Sequence, residues 1–168
     1  MRYLLSIIVA ILCLSANKQA TAQYYDHAIG FRAGTSFELS YKRFIFYKPR
    51  YFQQAFEVLV GYHIDEWDKR YNGFVAEGLY LFHLDVGFDT GFSAYLGVGA
   101  YAGVYTETAK QPYFGGGGTI ALGMEYTFTH VPISISLDWK PLFGFPRFPP
   151  RSLARGAFTL RYVFPTPP

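Results

Sequence analysis

Between Thr119 and Lys140 the chain reads TIALGMEYTF, THV, PISISLDWK, and this alternation restricts the fold more than any other stretch. Ile120, Leu122, Met124, Tyr126 and Phe128 alternate with Thr119, Ala121, Gly123, Glu125 and Thr127. After Thr129 to Val131, Ile133, Ile135, Leu137 and Trp139 alternate with Ser134, Ser136, Asp138 and Lys140. Side chains on a strand point to opposite faces with period two, so each run is a strand with one apolar and one polar face. The short link makes the two runs a hairpin.

Most of the remaining chain repeats the pattern. The period predicts strands near His27 to Ala33, Ser36 to Phe46, Gln53 to His63, Phe74 to Val86, Phe92 to Thr106 and Ala154 to Phe164. With the hairpin this makes eight. Gly34-Thr35, Tyr47 to Phe52 (with Pro49), Ile64 to Gly73, Gly87 to Gly91, a Gly-rich loop at Glu107 to Gly117 and a Pro-rich loop at Phe143 to Leu153 separate them. No helical period and no second domain is visible. Eight strands pair in sequence as an antiparallel meander, and closing the first onto the last removes both exposed edges. The expected class is therefore all-β, an eight-stranded antiparallel up-and-down barrel.

Residues 1–22 read as a signal peptide preceding a barrel domain at 23–168. Arg2 supplies the positive region, Tyr3 to Leu14 the apolar core, and Ala20-Thr21-Ala22 a small-x-small cleavage site. The core is too short to span a bilayer as a helix. Cys13, the single cysteine, falls inside this leader, so the mature chain has no thiol nucleophile, disulfide or cysteine-ligated metal. Two of the charges behind the net +3, Arg2 and Lys18, also lie there, so the mature chain is nearly neutral and shows no nucleic-acid footprint.

Alternation is symmetric and leaves open which face points out. A soluble lipocalin-like barrel turns the apolar face inward, whereas a membrane barrel turns it toward lipid. Three features favour the second arrangement. Charged residues are only 16% of the chain and aromatic residues 20%, and the polar face is mostly Gly, Ser, Thr, Ala and Tyr. Its charges also balance: Arg32, Lys42, Lys140, Arg155 and Arg161 stand against Glu38, Glu57, Glu77, Glu125 and Asp138. Buried charges need partners, and a wetted face needs no such balance. Finally, with the mature N-terminus periplasmic, the turns at Gly87–Gly91 and Thr129–Val131 are short. The external loops at Ile64–Gly73, Glu107–Gly117 and Phe143–Leu153 are longer, although the first two connections depart from the rule, Gly34-Thr35 being short and Tyr47–Phe52 not.

The leader, the YLGVGAYAGVY strand, the PISISLDWKP strand and the terminal GAFTLRYVF together resemble the small eight-stranded outer-membrane barrels of Gram-negative bacteria, the OmpA/OmpX type. The terminal stretch, Gly156 with alternating apolar positions ending at Tyr162 and Phe164, looks like the strand read by the barrel-assembly machinery. Pro165-Thr166-Pro167-Pro168 departs from that pattern, in which the aromatic residue ends the chain. The resemblance covers nearly all the mature chain and implies a transmembrane β-barrel in the cell outer membrane. Its partners would be outer-membrane lipids and lipopolysaccharide, and the assembly machinery during biogenesis.

No cofactor motif and no catalytic constellation is complete. His83 and Asp85 share a face, with Ser93 on the next strand, and could act as base, orienting carboxylate and nucleophile; the competing expectation is membership of a lumen network. His27, His63 and His130 stand apart. Asp65, Glu66 and Asp68 could offer oxygen ligands to calcium, but Lys69 and Arg70 share their loop. Gly115 to Gly118 lacks the following Lys and helix of a phosphate loop. Lys42, Arg43, Lys48 and Arg50, interleaved with Phe44, Phe46, Tyr47, Tyr51 and Phe52, read as an interfacial belt with basic groups on lipid phosphates. Arg147 and Arg151 beside Phe145 and Phe148 could touch lipopolysaccharide phosphates; the competing and preferred expectation is a stiff Pro-rich loop. A barrel of eight strands leaves room only for side chains, here including Tyr95, Tyr101 and Tyr105. The expectation is a non-enzymatic membrane barrel, ahead of a lipid-modifying barrel enzyme and of a soluble ligand-binding barrel.

Overall fold

A computed structural model of the protein describes residues 25–46, 52–64, 72–86, 91–106, 112–144 and 155–165. The leader at 1–22, with Cys13 and its cleavage site, lies outside them. So do Lys48 and Arg50, the Asp65, Glu66 and Asp68 loop, the Arg147 and Arg151 loop, and Thr166 to Pro168. The strands are β1 (Tyr25–Gly34), β2 (Ser36–Phe46), β3 (Phe52–His63), β4 (Asn72–Asp85), β5 (Phe92–Thr106), β6 (Tyr113–Thr127), β7 (Ile133–Trp139), β8 (Leu142–Gly144) and β9 (Gly156–Pro165).

β1 to β6 pair antiparallel in sequence, β6 pairs with β7, β7 with β9, and β9 with β1, so the sheet closes on itself. β7 and β8 lie one after the other along β6, with Leu122 opposite Trp139 and Thr119 opposite Leu142. They are two segments of one barrel strand, interrupted at Lys140 and Pro141. Pro141 has no N–H to give to a ladder. The Lys140 N–H donates instead to the Arg155 carbonyl at 2.8 Å, and the Thr119 hydroxyl donates to the Pro141 carbonyl at 2.9 Å. The result is a closed eight-stranded antiparallel barrel. A register circuit that leaves β6 at Tyr126 passes Ile135, Leu160, Phe31, Leu39, Val60, Ala76 and Ala102 and returns to β6 at Gly116. The strands are thus staggered and tilted, as closure of a small barrel demands.

Two expected boundaries move. The end of the stretch read as a Gly-rich loop is strand: β6 already begins at Tyr113, Gly115 to Gly118 pair with Gly103 to Ala100 on β5, and residues 107–111 lie outside the described ones. A glycine run has no side chains to display a period, so pairing with β5 decides its state. Close approach explains part of the composition, because a Cβ on Gly117 would lie 2.1 Å from the Phe143 carbonyl oxygen. Phe143 and Gly144, read as loop, belong to β8.

The structure resolves the ambiguity of faces. Ile29, Leu39, Leu96, Leu122, Leu137 and Leu160 are exposed, and Arg32, Glu38, Lys42, Glu125 and Arg161 are buried. The apolar face points outward on every strand of the barrel, the reverse of a lipocalin-like arrangement. Outward aromatic residues sit toward strand ends: Phe52 and Tyr62 on β3, Phe74 and Phe82 on β4, Phe114 and Tyr126 on β6, and Phe158, Tyr162 and Phe164 on β9. Val58 and Val60 on β3, Ile120, Leu122 and Met124 on β6 and Leu160 on β9 lie between such ends, while Tyr41, Phe56 and Tyr80 also face outward nearer the middle of their strands.

The lumen is packed. Leu59, Leu79 and Leu81 form an apolar patch beside the charges, and Tyr95, Tyr101 and Tyr105 fill space as expected. Glycines on β5 and β6 make room for them. A Cβ on Gly123 would lie 2.5 Å from both Cζ and Oη of Tyr95 and 2.8 Å from the Leu137 carbonyl oxygen. Gly123→Ala is expected to lower stability by about 1–3 kcal/mol through overpacking. Tyr95→Leu in the same chain should recover part of that loss in a denaturant titration.

Candidate functional site

The largest assembly of polar chemistry lies in the lumen. Period-two geometry aims alternate residues of each strand at the axis, and all ten charges expected to balance are buried there. They fall into two groups. Nearer the chain termini, Lys42 pairs with Glu125 at 2.7 Å, and Arg161 spans Glu125 at 3.2 Å and Glu57 at 2.5 Å. Nearer the opposite end, Arg32 bridges Asp138 at 2.6 Å and Glu38 at 3.0 Å. Arg155 bridges Glu38 at 2.9 Å and Glu77 at 3.0 Å, and Lys140 pairs with the same two glutamates. Each group is electroneutral, two cations on two carboxylates and three on three.

Hydroxyl groups complete the network. Ser40 and Ser136 accept from Arg161 at 3.0 and 2.8 Å, and Ser36 accepts from Arg32 and Arg155 at 3.2 and 2.8 Å. Tyr25 donates to Glu125 at 2.7 Å, and Tyr95 donates to Asp138 at 3.4 Å. Lys42 lies 5.0 Å from the Phe44 ring centre and 5.5 Å from that of Tyr95, within cation–π range. The serines and Tyr25 were not singled out from sequence. The serines fall on the polar phase of their strands, so their signal was present; Tyr25 falls on the outward phase of β1, with Ile29 and Phe31, and is buried because the register shifts between Tyr25 and His27.

His83, Asp85 and Ser93 do come together near the end that carries the termini. Asp85 is the register partner of Ser93, and Nδ1 of His83 is 3.4 Å from the Ser93 hydroxyl. The His83 ring stacks on Tyr95 at 4.9 Å and meets Phe44 edge-on at 5.1 Å. Its Nε2 has no hydrogen-bond partner among the described residues. A base that activates a serine is oriented through its second nitrogen by a carboxylate, and Asp85 makes no such bond here. The group borders a cavity of about 40 Å³ that also touches Tyr25, Gln53 and Glu125, large enough for water.

The other sequence candidates disperse. His27 faces outward on β1, His63 is buried at the end of β3, and His130 is exposed in the connection 128–132. Among the described residues no three His, Cys, Asp or Glu side chains are grouped to hold a metal. The basic-aromatic cluster is split by strand alternation: Lys42 and Phe44 are buried in the lumen and Arg43 is exposed on the outer face. No family model, no curated protein and no solved structure matches the chain.

Proposed function

We propose that the protein is a small integral barrel of a bacterial outer membrane. Its lumen is filled, and its role is structural or one of surface contact rather than catalysis. The observation that carries this reading is the inversion of faces: apolar side chains cover the outside while ten paired charges occupy the inside. In water that exterior would be a contiguous apolar surface far beyond what soluble monomers expose. In a bilayer the same surface is solvated by acyl chains, and closure leaves no backbone edge unpaired. Aromatic residues near both ends of several strands suit the two interfaces.

The reading predicts that the protein, expressed with its leader, stays in the outer-membrane pellet after alkaline carbonate extraction. It also predicts that the purified chain remains monodisperse only with detergent or lipid. Recovery as a monodisperse, detergent-free protein would overturn it.

One observation favours a second reading, a lipid-modifying barrel enzyme: the approach of His83 to Ser93 beside a cavity. Mass spectrometry of lipid A and phospholipids from an expressing host is expected to show no new acylated or deacylated species. A species lost in His83→Ala would establish the enzyme instead.

A further inference from the structure

The outer face of β1 and β2 carries polar chemistry that the lumen network does not use. Arg43 is exposed there, opposite His27 in the β1–β2 register. Tyr41 precedes it by two residues on the same face, and its hydroxyl lies 2.8 Å from Nδ1 of His27. The two rings stack at 6.0 Å. The neighbours of this trio are apolar and exposed: Phe56 is the register partner of Arg43 on β3, and Phe164 is that of His27 on β9. Every charge of the two lumen groups has an opposite charge within salt-bridge distance. The Arg43 guanidinium has no ion-pair or hydrogen-bond partner among the described residues.

We propose that Arg43, with Tyr41 and His27, binds the phosphate of an anionic phospholipid headgroup, one whose phosphate charge is not offset by choline, in the leaflet nearer the chain termini; this rests on the membrane reading above. An arginine on an apolar face near a strand end can lay its stem along the hydrocarbon and extend its head to the interface. A planar guanidinium matches two phosphate oxygens at once. Where Tyr41 donates to Nδ1 of His27, the ring proton sits on Nε2, which supplies a further outward donor. Phe56 and Phe164 flank the site where acyl chains of the bound lipid would run. The same donors suit inorganic phosphate, which lacks those chains.

The test is native mass spectrometry of the full chain refolded in zwitterionic detergent, offered equimolar phosphatidylglycerol and phosphatidylcholine, with and without millimolar inorganic phosphate. The wild type is expected to retain phosphatidylglycerol about fivefold over phosphatidylcholine, the ratio for roughly 1 kcal/mol per basic residue at an anionic surface. Arg43→Gln should bring the two lipids to parity, and Arg43→Lys should keep part of the preference. Inorganic phosphate should leave the lipid adduct in place. An unchanged preference in Arg43→Gln, or parity in the wild type, overturns the site while leaving the membrane reading intact. Displacement of the lipid by inorganic phosphate overturns the lipid assignment. A wild type that stays monodisperse without detergent sinks the membrane reading itself.

Discussion

Arg161→Met is expected to destabilise the folded barrel by about 3–5 kcal/mol, the usual consequence of removing one member of a buried ion pair. Arg161 donates to Glu57, Glu125, Ser40 and Ser136 at once. Methionine fills a similar volume but offers no donor. Among the described residues Glu57 would keep only its bond from Ser40 at 2.5 Å, whereas Glu125 retains Lys42 and Tyr25. The four-charge group would then carry a net negative charge in a packed lumen, where desolvation is uncompensated. Glu57→Gln added to Arg161→Met restores neutrality and should recover part of the loss, a coupling that contacting residues show and distant ones do not. The measurement is the urea midpoint of the detergent- or lipid-folded protein. Equal midpoints for wild type and Arg161→Met would show that water, not pairing, carries those carboxylates.

Membership of this network was legible in the sequence, because Arg161 and Glu57 each fall on the polar phase of a period-two strand. The pairing was not. Arg155 reaches Glu38 and Glu77 across the lumen, and that reach depends on closure and stagger, which no single strand encodes. The outward direction of the apolar face was argued from charge balance, since alternation is the same for a barrel turned inside out. Gly115 to Gly118 escaped recognition because a strand without side chains has no pattern; its partners at Gly103 to Ala100 supply the evidence. The basic-aromatic run from Lys42 to Phe52 reads as one cluster in sequence, and its part at 47–51 lies outside the described residues. The alternation that identifies its strand already separates Lys42 from Arg43, and the structure places them on opposite faces. Strand phase puts His83 and Asp85 on one face, and the pairing of β4 with β5 brings Ser93 beside them. The missing bond from Asp85 to the ring is a matter of side-chain geometry that residue spacing does not carry.

Leu122→Arg gives the second large effect, and its size depends on what surrounds the barrel. Leu122 is 55% exposed on β6, between Ile120 and Met124 on the same face, with Leu96 and Trp139 as register partners. Against lipid, an arginine at mid-membrane depth costs about 2–4 kcal/mol, because the guanidinium must be dragged from the headgroup region or hydrated in place. Against water, the same change at an exposed site falls within about 0.5 kcal/mol and improves solubility. Thr119→Ser, on the lumen side of the same strand, keeps the hydroxyl that bonds the Pro141 carbonyl; it should cost no more than about 1 kcal/mol in either setting. Unfolding of the three proteins in phospholipid vesicles is therefore expected to place Leu122→Arg about 2–4 kcal/mol below wild type and Thr119→Ser within about 1 kcal/mol of it. A Leu122→Arg midpoint equal to that of Thr119→Ser would assign this face to water, and the apolar exterior would then need a protein partner to cover it.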